Sequence, residues 1–241
     1  MQKEDSLALD ILYQDVYIVA INKPHGLLVH PSPLARDADE FAMQLLRDQL
    51  SQFVYPCHRL DRKTGGVLLF ALNTAQNKNI QMLFAERKID KVYFAIVRGY
   101  CDDLGEIDYP LKRDDGTVQE AFTAYRTLAR AELPIPLGMH DTSRYSLVIV
   151  KPETGRMHQI RKHFKHILHP IIGDRPHGCN KQNKFFKERW QMHTMLLHAA
   201  SLSFIHPETL NLVRIDAPIQ DEFQRMMAMM GWERALLKED F

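Results

Sequence analysis

The sequence predicts a mixed α/β (α+β) fold with a largely antiparallel central sheet flanked by helices and loops. Three observations point to it. Short apolar runs of strand length recur at residues 16–21, 67–71, 91–97 and 145–150, separated by Gly, Pro and Asx turn signals. Only a few segments show the i, i+3, i+4, i+7 spacing of an amphipathic helix, at residues 38–50, 74–87, 156–168 and 221–230. Hairpin-type connections outnumber strand-helix-strand crossovers, which favours antiparallel pairing. No repeat, low-complexity tract or linker divides the 241 residues, so a single domain over 1–241 is expected.

The elements follow in order. Leu9 to Tyr13, a Gln-Asp turn and the apolar run 16–21 read as a hairpin. It ends at Asn22-Lys23-Pro24-His25-Gly26, a tight loop in which Pro24 and Gly26 stop any helix. Asp37 is placed to cap a helix over residues 38–50, with Phe41, Leu45, Leu46 and Leu50 on one face. Next comes His58-Arg59-Leu60-Asp61-Arg62-Lys63-Thr64-Gly65-Gly66, read as a loop with a Gly65-Gly66 turn, which leads into the buried strand 67–71. Thr74 caps the second helix. Strand 91–97 places Val92, Phe94 and Ile96 on one face and Tyr93, Ala95 and Val97 on the other. Strands near 120–129 and 145–150 flank a Pro- and Gly-rich loop at 133–139. In the third helix Met157, Ile160, Phe164, Ile167 and Leu168 form the apolar stripe, and His169-Pro170 ends it. A strand to Phe204, a His206-Pro207 turn and a Met-rich helix complete the chain.

Composition is that of an ordinary globular protein, 45% hydrophobic and 25% charged. The longest apolar runs fall far short of the roughly 20 residues of a membrane span, and residues 1–10 carry neither an apolar core nor a cleavage site of a signal peptide. A cytoplasmic location, without membrane contact, is expected. Cys57, Cys101 and Cys179 are odd in number and widely spaced, as expected of reduced, buried thiols rather than a disulfide frame or thiolate metal site. The spacing of His158, His166 and His169 does not suit a metal either.

Net charge is only +1, yet its distribution is uneven. Arg156, Arg161, Lys162, Lys165, Arg175, Lys181, Lys184, Lys187 and Arg189 face only Asp174 and Glu188 between residues 156 and 189. Such a segment is either a solvated helix face or a phosphate-binding surface for nucleic acid. Asp61, on a loop entering the core, needs a cation or hydrogen bonds to hold it; Arg59, Arg62 and Lys63 are near in sequence. Arg161, beside an apolar stripe, is placed to pair a carboxylate bidentately.

Six ordered motifs resemble the RluA family of pseudouridine synthases: Asn22-Lys23-Pro24-x-Gly26, His58-Arg59-Leu60-Asp61-x-x-Thr64-x-Gly66, Lys91-x-Tyr93-x-Ala95-x-Val97-x-Gly99, Gly155-Arg156-x-His158-Gln159-Ile160-Arg161-x-His163, His169-Pro170-Ile171-x-Gly173-Asp174 and Leu197-His198-Ala199. Asp141-Thr142-Ser143-Arg144-Tyr145 and Gln182-Asn183 are most similar to members that modify tRNA, at uridine 65 of the T-stem; the alternative is the same chemistry on ribosomal RNA or at another tRNA position. Two positions depart from the common pattern, Gly65 where serine is frequent and His177 where tyrosine is; they bear on substrate fit. Too few residues precede the first motif for the S4-like RNA-binding domain that many members carry.

The resemblance implies isomerisation of a uridine in RNA, with no cofactor and no metal, by a chain that works as a monomer with tRNA as partner. It implies Asp61 as the essential carboxylate, acting on base or sugar as nucleophile or at the sugar as a base, and Arg161 as the cation that keeps it ionised. Tyr93 would stack on the target base and Leu197 pack its other side. Arg59 would fill the gap left by a flipped-out uridine. Arg156, Lys162 and Lys165 would hold phosphates. Two rival readings compete with this one: a non-catalytic RNA-binding module, which needs neither Asp61 nor Tyr93, and a carboxylate glycosidase, which needs a second carboxylate that none near Asp61 supplies.

Overall fold

The computed structural model describes residues 8–31, 39–137 and 140–236. In chain order the elements are β1 (Ile11–Gln14), β2 (Ile18–Lys23), α1 (Ala42–Leu50), β3 (Tyr55–Pro56), β4 (Gly65–Ala71), α2 (Thr74–Ala85), β5 (Asp90–Arg98), β6 (Leu104–Asp108), β7 (Leu111–Lys112), β8 (Val118–Gln119), β9 (Phe122–Leu133), β10 (Ser143–Pro152), α3 (Gln159–His166), α4 (Asn180–Trp190), β11 (Leu197–Ile205), β12 (Leu212–Asp216) and α5 (Asp221–Met229). They fall into two compact units. The first is Met1–Asp90 with Ala199–Pro218, and the second is Lys91–His198 with Ile219–Phe241. The fold is mixed α+β, with antiparallel pairing predominant, as the turn pattern predicts.

In the first unit the strand order is β1-β2-β4-β11, with β12 beyond β11 and β3 on β4. The first hairpin forms where the sequence places it, with a bulge between Ile11 and Tyr13. β2 and β4 run antiparallel from Ile18 opposite Ala71 to Lys23 opposite Gly66. Every residue of β4 is buried, which is why its sequence is a continuous apolar run rather than an alternating one. Ile18, Val67, Leu69 and Ala71 pack with Ile80 of α2 and with Leu202 and Phe204 of β11. Fully burying each large side chain contributes about 1.5–3 kcal/mol.

The structure corrects two local expectations. Gly65 and Gly66 are not the turn: they already belong to β4, and the turn is Asp61 to Thr64, closed by Thr64 N–H donating to Asp61 C=O at 2.9 Å. Gly66 has φ +109°, and a Cβ there would sit 2.1 Å from the Ala199 carbonyl oxygen, so close strand approach demands glycine. Asn73, not Thr74, caps α2, its side chain accepting from Gln76 N–H at 2.9 Å. α1 begins at Ala42, and the proposed Asp37 cap lies outside the described residues.

The second unit has the strand order β5-β10-β9-β6, all antiparallel. Its core joins Ala95 and Val97 of β5, Val148 and Val150 of β10, and Ile160 and Phe164 of α3. α3 is shorter than its apolar stripe suggests, because His158, at φ +56°, stands outside its start and Ile167 ends it. Met157 and Leu168, at either end of the stripe, are exposed. α4 is a helix the sequence pattern does not announce, since its residues are all polar or aromatic; only Gln182 and Phe186 are buried on its inner face. Cys57 and Cys101 are buried free thiols whose pKa burial pushes up to about 12, while Cys179 is only half-buried. Among the described residues no helix is long and apolar enough to cross a membrane.

Candidate functional site

In the first unit, the loop that carries Asp61 is clamped by His25 and Gly26, in the turn just after β2. Gly26 N–H donates to Arg62 C=O at 2.8 Å, Arg62 Nε returns a bond to Gly26 C=O at 3.0 Å, and His25 Nδ1 lies 2.7 Å from Lys63 C=O. His58 anchors the other side: its Nε2 accepts from Leu69 N–H at 3.1 Å, and its ring lies 4.9 Å from that of Phe84. Asp61 is thus on a turn tied at both ends to backbone.

A buried charge supports this turn from within the unit. It is Lys23, which the sequence pattern does not single out and which is fully buried. Its Nζ donates to Leu27 C=O at 2.8 Å, Pro24 C=O at 2.9 Å and Arg62 C=O at 3.2 Å, which uses all three ammonium protons. Burial pushes the pKa of Lys23 down to about 7, and the charge of Asp61 opposes part of that fall. The available signal was Lys23 within the loop motif, at the end of an apolar strand where a charged residue is unusual. Arg59, by contrast, is exposed and makes no side-chain hydrogen bond or ion pair with a described residue. Leu60, its neighbour in sequence, is buried.

In the second unit, Tyr93 stands on β5 opposite Val150 of β10. It is half-buried against the same apolar cluster that contains Leu197 and Ile160. The structure therefore brings together Tyr93, Leu197 and the helix of Arg161, three features that lie far apart in sequence. Arg161 itself is only 7% exposed. Its Nε and Nη2 both bond Asp174 at 2.8 Å, a fork-to-carboxylate pair. Asp174 belongs to one of the family-like motifs, but the sequence alone assigns it no task. It is 1% exposed and also accepts from His177 N–H at 3.3 Å.

The Asp174 turn is in turn held by α4. Asn183 Oδ1 accepts from Gly173 N–H at 2.8 Å and its Nδ2 donates to Asp174 C=O at 2.6 Å. His177, the position that departs from the common family residue, lies with Nε2 3.0 Å from His158 Nδ1, and burial lowers its proton affinity. His163 is fully buried between the Tyr109 carbonyl and the Thr123 hydroxyl, each at 3.0 Å, and burial lowers its pKa too. These are satisfied histidines. Among the described residues no His, Cys, Asp and Glu cluster is arranged to hold a metal.

The basic residues divide. Arg156 is tied down, Nε donating to Glu120 C=O at 3.0 Å, and Lys162 reaches Lys112 C=O at 3.5 Å. Lys165 is exposed, as are Lys181, Lys184 and Lys187 on α4, with Lys184 3.8 Å from Glu188. At such exposure that pair contributes at most about 1 kcal/mol.

This architecture is shared with solved pseudouridylate synthases. Human RNA Pseudouridylate Synthase Domain Containing 4 matches with a TM-score of 0.71 at 25% identity, covering 92% of this chain and 93% of that one. The family model described as RNA pseudouridylate synthase matches residues 17–166, and the chain belongs to that family: it is a pseudouridine synthase, an isomerase, of RluA type. It is 45% identical over 241 residues to "tRNA pseudouridine synthase C" of Vibrio parahaemolyticus, covering 95% of this chain and 98% of the relative. A protein of the same name from Haemophilus ducreyi is 46% identical over 236 residues, covering 94% and 97%.

Proposed function

We propose that the protein converts a uridine of tRNA to pseudouridine, at position 65 of the T-stem, with Asp61 as the essential carboxylate. The observation that carries the choice of tRNA is near-full-length likeness, at 45% identity, to proteins named for that substrate. The reaction breaks the bond from uracil N1 to the ribose and forms one from C5. The C5 hydrogen leaves to solvent and N1 takes up a proton, so atoms balance without redox or net water. An ionised carboxylate suffices to open this sequence, as nucleophile on base or sugar or as a base at the sugar.

Asp61 is held on a turn whose position is set by backbone bonds on both sides and by the Lys23 ammonium beneath it. Arg161 serves as the cation that keeps Asp61 ionised; its burial and its fixing by Asp174 support a pre-oriented guanidinium. Tyr93 stacks on the flipped base, with Leu197 on the other side of it, in keeping with their common apolar cluster. Arg59 fills the stem in the uridine's place, in keeping with its exposed side chain, which engages no described residue. Arg156, Lys162 and Lys165 contact phosphates, and the chain works as a cytoplasmic monomer on tRNA.

The test is tritium release from uridine-labelled tRNA, with carbodiimide mapping by primer extension to locate the product. Asp61→Asn is expected to lose turnover while binding tRNA within a few-fold of wild type. Turnover by that variant without deamidation would refute the role of Asp61. Product on ribosomal RNA or at another tRNA position would refute the site, and no product at all would leave only an RNA-binding module.

A further inference from the structure

The second unit carries a cavity of about 350 Å³ that none of the residues assigned above lines. It lies where β5 ends and β10 begins. Its wall includes Arg98, Tyr100, His140, Thr142, Arg144 and Gln182. Three of these, Thr142, Arg144 and Gln182, belong to the sequence strings that set this chain among the tRNA-modifying members, and none of them has a part in the chemistry proposed for Asp61.

The balance of donors and acceptors decides what such a cavity takes. Its neighbouring carboxylate is spent: Glu132 stands opposite Arg144 in the β9–β10 register. It accepts from the Thr142 hydroxyl, the Tyr100 hydroxyl at 3.1 Å and Arg144 Nη2 at 3.2 Å. Those bonds, Thr142's foremost, hold Glu132 below the usual carboxylate range, so it stays charged and occupied. The Ser143 hydroxyl is spent too, on Ile135 C=O at 2.8 Å.

Donors remain. Gln182 is 5% exposed, and its Oε1 accepts from the Tyr145 hydroxyl at 2.6 Å. That bond fixes the amide so that Nε2, which has no acceptor among the described residues, is the end left over. Arg98 is exposed at the strand end, and among the described residues its guanidinium bonds neither carboxylate nor carbonyl. Arg144 lies 5.2 Å from the centre of the Tyr100 ring, which fixes its plane while leaving further N–H groups. Arg98 and Arg144 on the wall, against the neighbouring Glu132, leave one arginine charge in excess. The ligand this favours is acceptor-rich, singly negative and able to lie beside an aromatic ring.

We propose that this cavity is a second RNA-binding site, which takes one phosphodiester of the substrate RNA together with its nucleotide, other than the uridine that reacts. The site rests on the reading that this chain modifies RNA of the tRNA class. Arg98 supplies the unpaired charge, Gln182 a buried amide donor and Tyr100 with Arg144 a flat wall for the base. Phosphate contacts of this kind set register on a nucleic acid without reading its sequence.

The experiment measures tRNA binding by fluorescence anisotropy from about 50 to about 200 mM salt for wild type, Arg98→Gln, Arg98→Lys and Gln182→Leu. Removing one charge that neutralises a phosphate lowers the salt slope by roughly 0.7 to 0.9. Arg98→Gln is expected to show that drop with about tenfold weaker binding at low salt. Arg98→Lys keeps the slope, because the charge survives without the fork. Gln182→Leu weakens binding a few-fold at unchanged slope, because it removes a neutral donor.

Wild-type affinity or slope in Arg98→Gln overturns the proposal. So does Arg98-dependent binding of inorganic phosphate in a protein whose RNA affinity ignores Arg98, which would make this a site for a free anion. Tritium release in the same preparations separates the two readings. An intact Arg98 effect without product refutes tRNA modification and leaves the RNA site, and product without an Arg98 effect does the reverse.

Discussion

Replacing Asp174 by alanine should uncover how much of the second unit depends on one ion pair. Arg161 and Asp174 are 8% and 1% exposed in their side chains and meet through two bonds of 2.8 Å. Removing the carboxylate takes both of these bonds from a guanidinium that has been withdrawn from water, and breaking a buried pair on one side costs about 3–5 kcal/mol. With a urea slope of about 2–3 kcal/mol per M, the midpoint falls by about 1–2.5 M. The assay suits the molecule, because both tryptophans, Trp190 and Trp232, lie in the second unit and their fluorescence reports its unfolding. The double variant Arg161→Met/Asp174→Leu removes both charges and is expected to lose less than the sum of the two single changes, by about 2 kcal/mol or more. A loss under about 1 kcal/mol for Asp174→Ala, or strict additivity in the cycle, would show that the pair is not the element holding Arg161. Turnover of Asp174→Ala should fall more than its affinity for tRNA, because the guanidinium loses its orientation rather than its charge.

Other perturbations test other parts. Lys23, lowered by burial from 10.5 to about 7, binds fewer protons folded than unfolded between those values, so its contribution raises stability as pH climbs from about 7 towards 10. Lys23→Met should lack that rise, on the order of a few kcal/mol across the window, in urea midpoints measured at each pH; parallel curves would refute it. Gly66→Ala should destabilise the first unit by at least about 3 kcal/mol, seen as lower soluble yield or a lowered Tm, since the added Cβ has no room at 2.1 Å from Ala199 C=O. Exchanging Lys181, Lys184 and Lys187 for glutamine should weaken binding of all tRNAs alike and cut the salt slope by roughly 0.7–0.9 for each phosphate no longer neutralised; wild-type slope would mark α4's outer face as solvated only.

The strands were legible because burial writes a plain pattern. Residues 67–71 are apolar without a break, since both faces of β4 are covered, and β1–β2 shows a hairpin's turn between two runs. Tyr93's separate face followed from period two alone, and β5 has it in the cluster with Ala95 and Val97. α4 was not legible, because a helix that buries only Gln182 and Phe186 has almost no apolar period to read. Gly65-Gly66 misled for a related reason: glycine marks turns when alone, but here a neighbouring backbone leaves no space for a Cβ, and that neighbour, Ala199, is over a hundred residues away.

By itself the sequence determined which residues carry the resemblance, the order of the motifs, and Asp61 as the carboxylate to test, since motif spacing is a property of the chain. Tertiary structure alone decided who holds whom. Lys23 supports the Asp61 turn only because β2 and β4 pair in a register that sets it opposite Gly66. Asp174 grips Arg161, and Asn183 grips the Asp174 turn, because folding brings α3, the Gly173 turn and α4 together. Buried charges must find partners wherever the fold supplies them, and linear distance says nothing of where that is.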